Sequence, residues 1–374
     1  MATNQPYRVI ISGGGTGGHV YPAIAIANAL KARHPDTKIL FVGAQGRMEM
    51  QKVPEAGYEI EGLWISGIQR KLTLDNLSFP FKVISSIMKS RKILSRFQPD
   101  VVVGVGGYAS GPLLHAATGR KIPALVQEQN SFAGLTNKLL GPKVQTVCVA
   151  HKGMDKFFAK DKIVFTGNPV RKDIRMSPEK RAEGIKTFGL DPDKKTILVL
   201  GGSLGARTLN ESILAGAGKL VEADVQVLWQ TGRIYIEEMQ KRLPQEMLSH
   251  IHPREFIREM DLAYAVSDVV ISRAGALSIS EIALTGRPSV FVPSPNVAED
   301  HQTKNALSLV EENAATMVTD ARAVSELTDE ALELLRDTER QQVYSQNLEK
   351  LARPDADERI ADEVLKLADR YRDT

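Results

Sequence analysis

A glycine-crowded turn near the start of the chain constrains its fold more than any other feature. The apolar run at 9–11 leads into Ser-Gly-Gly-Gly-Thr-Gly-Gly-His at 12–19, and a helical pattern rich in alanine and isoleucine follows over 22–32. Glycines let backbone N–H groups approach an anion closely, and the N-terminus of the following helix carries partial positive charge at the same point. The segment therefore predicts an α/β unit whose first loop binds phosphate.

A second unit of the same kind occurs in the other half of the chain. The apolar strand pattern at 196–200 runs into Gly-Gly-Ser-Leu-Gly-Ala-Arg at 201–207. Two such loops, so far apart in sequence, predict two nucleotide-binding domains that face each other across a deep cleft. Glycines that only make tight turns would explain neither the second copy nor His19 at the mouth of the first loop.

The first loop also has the glycine spacing of a dinucleotide-binding fold, at Gly13, Gly15 and Gly18. A nicotinamide-binding unit places an acidic residue at the end of its second strand, where it holds the ribose hydroxyls. The second strand pattern, at 38–42, is followed by Gly-Ala-Gln instead. The sequence therefore argues against a dinucleotide-dependent oxidoreductase.

Apolar strand patterns alternate with helical patterns through most of the chain, which is typical of parallel sheets covered by helices on both faces. The strand series pauses at Gly-Asn-Pro-Val-Arg, 167–171, and restarts at 196. We therefore predict two doubly wound, Rossmann-like α/β domains, at 1–167 and 168–354. A C-terminal helix at 355–374 either closes the second domain or packs back on the first.

Composition narrows the class of protein. The chain has 374 residues, enough for about two domains, and its net charge of +3 does not indicate nucleic-acid binding. The single cysteine, Cys148, lies in an apolar run and is expected to be buried and reduced, as in cytoplasmic proteins. The N-terminus lacks a signal-peptide layout and no apolar run is long enough to span a bilayer, so any membrane contact is expected to be peripheral.

Six motifs occur in order along both halves of the chain: GGTGGH at 14–19, GVGGYASGP at 104–112, EQN at 128–130, GNPVR at 167–171, GGSLGAR at 201–207 and RAGALSISE at 273–281. Together they resemble the GT-B glycosyltransferases, and within them the bacterial transferases that build lipid-linked peptidoglycan precursors. Two departures stand out. Gln127 replaces the histidine that commonly precedes the Glu-Gln-Asn run, and His301-Gln302 replaces a pair of glutamines.

The resemblance implies an inverting hexosyltransferase of GT-B architecture that uses no cofactor. It would transfer N-acetylglucosamine from UDP-N-acetylglucosamine to the C4 hydroxyl of undecaprenyl-diphosphate-linked N-acetylmuramoyl-pentapeptide, with a β-1,4 linkage, in peptidoglycan synthesis. The implied location is the cytoplasmic face of the bacterial inner membrane, bound peripherally to anionic lipid, with cell-wall synthesis proteins as further partners. Three alternatives stay open: a related transferase that acts on another glycolipid, a UDP-sugar epimerase of the same architecture, and a noncatalytic membrane-binding scaffold.

The resemblance also implies which residues bind the donor. Ser203 would contact the diphosphate, although a serine at the start of a helix can simply cap it. Glu281 would accept the ribose hydroxyls, residues 256–257 would lie against the uracil, and Arg171 would neutralise the leaving diphosphate. The predicted donor set is Thr16, Gly17, Gly18, Asn130, Arg171, Ser203, Phe256, Ile257, Ala276, Leu277, Ser278, Glu281, His301 and Gln302.

His19 is the candidate general base. Inverting transfer needs a base beside the acceptor hydroxyl, and an imidazole suits proton removal near neutral pH. A purely structural role, or contact with the acceptor diphosphate, is the alternative. Glu128 and Asn130 are candidates for supporting the base or binding acceptor. The predicted acceptor-diphosphate contacts are Gly14, Gly15, Gly106, Gly107 and Tyr108.

No metal site is predicted. Aspartate pairs at 191–193 and 355–357 have the spacing of metal-binding D-x-D triplets, but one precedes a strand pattern and the other opens a helix. Aspartates at such places usually serve turns and caps. Helix N-termini together with Ser203 and Arg171 would stabilise the leaving group without a metal.

Residues 70–96 combine basic and apolar side chains with a single acid, Asp75. Basic residues around apolar ones are typical of proteins that rest on an anionic bilayer. An amphipathic helix packed on the core explains part of the pattern but leaves too many apolar residues unplaced. The predicted membrane residues are Leu72, Leu74, Phe79, Phe81, Lys82, Lys89, Arg91 and Lys92.

Overall fold

The computed structural model describes residues 5–67, 78–170, 174 and 176–373. The chain divides into two compact units: unit 1 is Met1–Val170 together with Arg353–Thr374, and unit 2 is Arg171–Ala352. The sequence predicts these divisions at 167 and 354. Leu72, Leu74 and Arg171, which were assigned from sequence to the membrane and donor sites, lie outside the described residues.

Unit 1 is built on a parallel sheet whose described strands number seven, in the order β3-β2-β1-β4-β5-β6-β7. The strands are β1 (Arg8–Ser12), β2 (Lys38–Ala44), β3 (Glu59–Leu63), β4 (Val101–Gly104), β5 (Ala124–Glu128), β6 (Thr146–Val149) and β7 (Ile163–Phe165). The helices are α1 (Gly17–Arg33), α2 (Glu49–Glu55), α3 (Phe79–Phe97), α4 (Ser110–Thr118) and α5 (Leu135–Leu140), with 3-10 turns at Met154–Lys156 and Lys160–Lys162. Ile10 joins one buried cluster while Val9, Ile11 and Cys148 join another, so both faces of the sheet are covered.

Unit 2 repeats this plan with six described strands, in the order β10-β9-β8-β11-β12-β13. The strands are β8 (Thr196–Leu200), β9 (Gln226–Gln230), β10 (Ile251–Arg254), β11 (Val269–Ser272), β12 (Ser289–Phe291) and β13 (Thr316–Met317). The helices are α6 (Pro178–Phe188), α7 (Arg207–Glu222), α8 (Ile236–Arg242), α9 (Met260–Val266), α10 (Ala276–Thr285), α11 (His301–Glu311), α12 (Asp320–Arg336) and α13 (Thr338–Leu351), with 3-10 turns at Gln245–Ser249 and Ala298–Asp300. Along β8, Leu198 faces one cluster and Ile197 and Val199 face the other.

The last helix, α14 (Ala356–Arg372), packs on unit 1. Its apolar face, including Ile360 and Val364, joins the cluster that holds Val9 and Ile11. At its end the Arg372 guanidinium bonds both carboxylate oxygens of Asp100, at 2.8 and 3.1 Å. Apolar burial along the helix and this ion pair at its end therefore tie the C-terminus to the first sheet.

The strand order reverses beside the first strand of each sheet, between β1 and β4 in unit 1 and between β8 and β11 in unit 2. Loops at the carboxyl ends of parallel strands meet at such a switch point, which is where doubly wound folds bind ligands. Both glycine loops predicted from the sequence follow these first strands. The prediction of two doubly wound α/β domains is confirmed. Within the described ranges, no helix has the length and apolar character needed to cross a membrane.

Candidate active site

Two glycine loops of unit 1 interlock at the carboxyl end of the sheet. Loop 13–18 follows β1, and loop 105–109 follows the neighbouring strand β4. Gly107 has a φ of 87°, and a Cβ on it would stand 2.4 Å from the carbonyl oxygen of Gly14, so only glycine fits. The Ser110 hydroxyl lies 2.9 Å from the carbonyl oxygens of both Ser12 and Gly106. The predicted acceptor loops therefore form one continuous surface.

His19 is held between these two loops. It is the third residue of α1 and is half-buried. Its Nδ1 lies 3.2 Å from Thr16 Oγ1, and a Cβ on Gly106 would stand 2.5 Å from its Cδ2. When Nδ1 carries the proton and donates to Thr16, Nε2 is the basic nitrogen, which is the tautomer that a general base on this side of the ring requires.

The remaining residues of the predicted acceptor set differ in exposure. Gly14 is buried and Gly15 is exposed with a φ of 87°. Gly17 and Gly18, which were predicted as donor contacts, begin α1. Tyr108 is 52% exposed, and its phenol lies over Gly67, where a Cβ would stand 2.2 Å from the tyrosine hydroxyl oxygen. The tyrosine thus presents an aromatic surface beside the glycine loops.

Glu128 stabilises the loop that follows β5. The residue is 1% exposed, and one carboxylate oxygen accepts from the backbone N–H and the side-chain amide of Asn130, at 3.0 and 3.2 Å. The other oxygen accepts from Gly134 N at 3.0 Å and from Asn137 Nδ2 at 2.9 Å. The carboxylate that the sequence offered for supporting a base or binding acceptor is buried and holds the loop that carries Asn130.

Gln127 belongs to a buried amide network. Its Nε2 donates to Asn168 Oδ1 at 2.9 Å, and Asn168 Nδ2 donates to the Gln129 carbonyl at 3.0 Å. Gln129 Nε2 donates in turn to the Val105 carbonyl at 2.7 Å. These bonds join the ends of β4 and β5 to the segment after β7. Gln127 therefore stabilises this edge of the sheet from within.

His151, just beyond β6, has a titration shifted by burial. Its Nε2 is enclosed and has no hydrogen-bond partner among the described residues, although the residue as a whole is partly exposed. Burial lowers the pKa of His151 from 6.5 to about 4, opposed by a hydrogen bond to the Gln129 backbone. As the pH falls, the unfolded chain therefore binds this proton before the folded protein does.

We expect the free energy of unfolding to decrease as the pH falls from 6.5 to about 4. The contribution of His151 is about 2 kcal/mol, lower than the value of about 3 kcal/mol for a fully enclosed residue, because His151 is partly exposed. Between these pH values, the free energy of unfolding should decrease less in His151→Gln than in the parent. In His115→Gln, which changes an exposed histidine, it should decrease as much as in the parent. Denaturant titration at several pH values measures the free energy of unfolding of the parent and both variants. An equal decrease in His151→Gln and the parent would contradict the role given to His151.

In unit 2 the second glycine loop leaves Ser203 exposed. Helix α7 begins only at Arg207, and its N-cap residue, Ala206, makes no side-chain cap. Ser203 is therefore not the helix cap that the sequence allowed as an alternative. Gly205 packs against the loop after β9, where a Cβ would stand 2.1 Å from the Thr231 carbonyl oxygen. This packing supports the loop and leaves the serine hydroxyl at the surface.

Glu281 lies on α10, which begins directly after β11 at the switch point. The residue is half-buried, and Tyr264 Oη donates to its Oε2 at 3.2 Å. Three further predicted donor residues form the first turn of this helix and are half-buried; they are Ala276, Leu277 and Ser278. Gly275 is the N-cap and offers no side chain to the first turn.

The predicted uracil segment follows β10. Phe256 is 52% exposed, whereas Ile257 is 2% exposed. The Ile257 N–H donates to Gln230 Oε1 at 2.9 Å, so this backbone donor is already used inside unit 2. Gln230, at the end of β9, was not singled out from the sequence. It positions the segment that carries Phe256.

The loop before α11 has two residues with positive φ and accepts hydrogen bonds from, or donates them to, two side chains of unit 2. Glu299 and Asp300 have φ of 55° and 52°, which is costly for residues other than glycine. Gln302 Oε1 accepts from Ser294 N at 2.8 Å, and His301, half-buried, is the first residue of α11. Arg273 Nη1 donates to the Val292 carbonyl at 3.0 Å and pairs with Asp320 at 2.5 Å. The sequence identified His301 and Gln302 but did not indicate the ion pair between Arg273 and Asp320.

The described part of the predicted membrane segment is α3. Phe81, Ile84 and Met88 lie on one face of it and are 69%, 58% and 65% exposed. Arg91 and Lys92, further along the helix, are also exposed. Three predicted membrane residues are engaged within unit 1 instead: Phe79 packs against the core, Lys82 Nζ lies 3.2 Å from Ser66 Oγ, and Lys89 Nζ donates to the Gly62 carbonyl at 2.7 Å.

With this geometry in view, comparison with known proteins identifies the family. A model described as Glycosyltransferase family 28 N-terminal domain matches residues 9–149, and one described as Glycosyltransferase family 28 C-terminal domain matches residues 196–360. A relative from Cytophaga hutchinsonii is 59% identical and covers 98% of each chain. The chain belongs to glycosyltransferase family 28. Membership in family 28 confirms the resemblance to the GT-B glycosyltransferases.

Two relatives carry the same name. The Cytophaga protein and one from Parabacteroides distasonis, 54% identical over 98% of this chain and 100% of its own, are each named UDP-N-acetylglucosamine--N-acetylmuramyl-(pentapeptide) pyrophosphoryl-undecaprenol N-acetylglucosamine transferase. Among solved structures, Acinetobacter baumannii MurG is similar, with 28% identity, a TM-score of 0.79, and 96% of this chain and 100% of that chain covered.

Proposed function

We propose that this protein transfers N-acetylglucosamine from UDP-N-acetylglucosamine to undecaprenyl-diphosphate-linked N-acetylmuramoyl-pentapeptide. Identity above one half along the full length of relatives with that activity in their name is the observation that carries the proposal. The placement of both glycine loops at sheet switch points agrees with it. A sugar nucleotide and a lipid diphosphate each need such a loop.

In this proposal unit 2 binds the UDP part of the donor, and unit 1 supplies the predicted donor contacts Thr16, Gly17, Gly18 and Asn130. The exposed Ser203 hydroxyl and the first turn of α10 would contact the diphosphate, since an N-terminal turn carries unpaired N–H groups and partial positive charge. The Glu281 carboxylate would accept the ribose hydroxyls, with Tyr264 holding it in place. Phe256 would cover the uracil. Arg171 completes the predicted set as the cation beside the leaving group, so no metal is required.

Unit 1 binds the acceptor and supplies the base. The acceptor diphosphate would lie at loops 13–18 and 105–109, beside Tyr108. His19 Nε2 would take the proton of the C4 hydroxyl as that oxygen forms a bond to the anomeric carbon of the donor sugar. The bond from this carbon to the diphosphate oxygen breaks on the opposite face, and UDP leaves. Configuration is inverted, which gives a β-linked product.

The deciding experiment is incubation with labelled UDP-N-acetylglucosamine and the lipid-linked acceptor, in the presence of EDTA, followed by separation of the lipid fraction. We expect label in the lipid fraction and stoichiometric release of UDP. Transfer only to other glycolipids would favour the related-transferase alternative. Conversion of the donor sugar without acceptor would favour the epimerase, and a strict requirement for added divalent metal would contradict the metal-free mechanism.

We extend the proposal to peripheral binding at the cytoplasmic face of the inner membrane through α3. An exposed apolar row at Phe81, Ile84 and Met88, continued by Arg91 and Lys92, suits insertion of side chains among lipid tails with cations at the headgroups. The surface lies in the same unit as the acceptor loops. A lipid-linked acceptor could therefore reach those loops while its lipid stays in the bilayer.

Replacing Arg91 and Lys92 by glutamine should weaken binding to anionic vesicles by about 10- to 30-fold at low salt, because each basic residue near such a surface contributes about 1 kcal/mol. The loss should shrink as salt rises. Lys186→Gln with Lys241→Gln, two exposed lysines of unit 2, is the matched control for net charge. Vesicle cosedimentation measures both pairs, and equal loss in the control would show that α3 is not the contact.

A further inference from the structure

A buried carboxylate lies beneath loop 13–18 and belongs to neither predicted substrate site. Glu49 begins α2 and is 0% exposed. One carboxylate oxygen accepts from Gly15 N at 2.9 Å, and the other accepts from Ala44 N at 2.9 Å. A buried carboxylate is tolerated only when hydrogen bonds replace its lost water. Glu49 therefore links the end of β2 to the glycine loop.

The glycines nearest to this carboxylate leave no space for a side chain. A Cβ on Gly14 would stand 2.1 Å from Glu49 Oε1, and one on Gly43 would stand 2.5 Å from Glu49 Cγ. Glycine at 14 is thus explained by the packing of Glu49. The Gly15 N–H likewise donates to an internal carboxylate, so the acceptor diphosphate has to use other N–H groups, at the start of α1.

Thr16 connects Glu49 to the imidazole. It follows Gly15 directly, and its carbonyl accepts from the N–H groups of His19 and Val20, each at 3.1 Å. Its hydroxyl lies 3.2 Å from His19 Nδ1. A displacement of Gly15 would therefore shift both the first turn of α1 and the hydrogen-bond partner of the ring.

We propose that Glu49 is a positioning residue: its buried carboxylate fixes loop 13–18 and, through Thr16, sets the orientation and tautomer of His19. Glu49 acts through these neighbours and contacts no substrate. Its effect on turnover rests on the proposed function, whereas its effect on the imidazole does not. Small displacements of a catalytic group are enough to cost about 10- to 100-fold in rate.

Glu49→Gln tests the proposal, because the amide keeps the shape but turns an N–H₂ group toward one of the two backbone donors. We expect kcat to fall by about 10- to 100-fold with the affinity for UDP unchanged, since Ser203 and Glu281, the proposed contacts to the diphosphate and ribose of UDP, belong to unit 2. Glu49→Asp should recover part of the loss. The ring nitrogen shifts of ¹⁵N-labelled His19, assigned by comparison with His19→Gln, should move in Glu49→Gln.

Thr16→Val and Glu55→Gln complete the set. Thr16→Val removes the hydroxyl without touching the carboxylate, so it should move the same His19 shifts, and combining it with Glu49→Gln should cost much less than the product of the two losses. Glu55→Gln changes an exposed carboxylate at the other end of α2 and should leave the shifts and kcat at parent values.

Unmoved His19 shifts in Glu49→Gln, or independent losses that multiply in the combined variant, would overturn the positioning role. If Glu49→Gln fails to fold, Thr16→Val and Glu49→Asp still decide it through the same nitrogen shifts. Moved shifts in a protein that shows no transfer with the lipid-linked acceptor would leave the positioning role standing and remove the proposed function instead.

Discussion

Replacing His19 by alanine should lower kcat for transfer to the lipid-linked acceptor by about 10²- to 10⁴-fold, the range expected when a general base is removed. UDP affinity should not change, since Ser203 and Glu281, the proposed contacts to the diphosphate and the ribose, belong to unit 2. Steady-state kinetics with a soluble short-chain acceptor, together with calorimetric UDP titration, measure the two quantities separately. A short-chain acceptor also removes any contribution from membrane binding.

The kinetic pattern separates the base role of His19 from contact with the acceptor diphosphate, two of the three roles that the sequence left open. Loss of a base lowers kcat and removes the acidic limb of the pH–rate profile. Loss of a contact to the acceptor diphosphate raises KM and leaves kcat near the parent value. His34→Ala, at the exposed C-terminal end of the same helix, is the matched control. Full turnover by His19→Ala would exclude the base assignment.

The fold could be predicted because its signals are local. Uninterrupted runs such as those of β1 and β8 indicate strands buried on both faces, and a glycine loop after each indicates a turn into a helix. Repetition of this pattern predicted two doubly wound sheets. The course of α14 was left open, because an amphipathic stripe shows that a face is buried but not against which unit.

The site was predicted less completely, because several of its supports depend on residues that are distant in sequence. Glu49 meets Gly15 across the turn after β2, and Gln230 meets Ile257 from the neighbouring strand. Neither belongs to a glycine motif, and an acidic or amide residue at such a place has many ordinary uses. Their roles became visible only when the burial of each side chain and its backbone partners were known.

Two groups of residues that the sequence assigned to functional sites make internal contacts that the sequence did not reveal. Glu128 is the kind of carboxylate that catalysis uses, yet its four hydrogen bonds all serve the loop beside it. Lys82 and Lys89 belong to a basic segment, yet they bond to groups near β3 while Arg91 and Lys92 are exposed. Composition identifies a surface of the right chemistry, and helix geometry decides which of its members face solvent.

Ser203→Ala and Glu281→Ala should each weaken UDP binding by about 1.5–3 kcal/mol, because each removes a hydrogen bond in which one partner is charged. The serine would donate to a diphosphate oxygen, and the carboxylate would accept from the ribose. These are separate parts of the ligand, so the two losses should add, and the double variant should bind UDP about 10²- to 10⁴-fold more weakly. Isothermal titration calorimetry with UDP measures all three variants.

The controls are chosen from exposed residues of the same unit. Glu311→Ala, on α11, and Ser325→Ala, on α12, make the same chemical changes at exposed helix positions outside the predicted donor set. Both should retain the parent affinity. Near-ultraviolet circular dichroism and thermal midpoints should match among all five variants and the parent, so that a weaker affinity reflects the site and not the fold. Parent affinity in both the Ser203 and the Glu281 variant would remove these two residues from the proposed donor site.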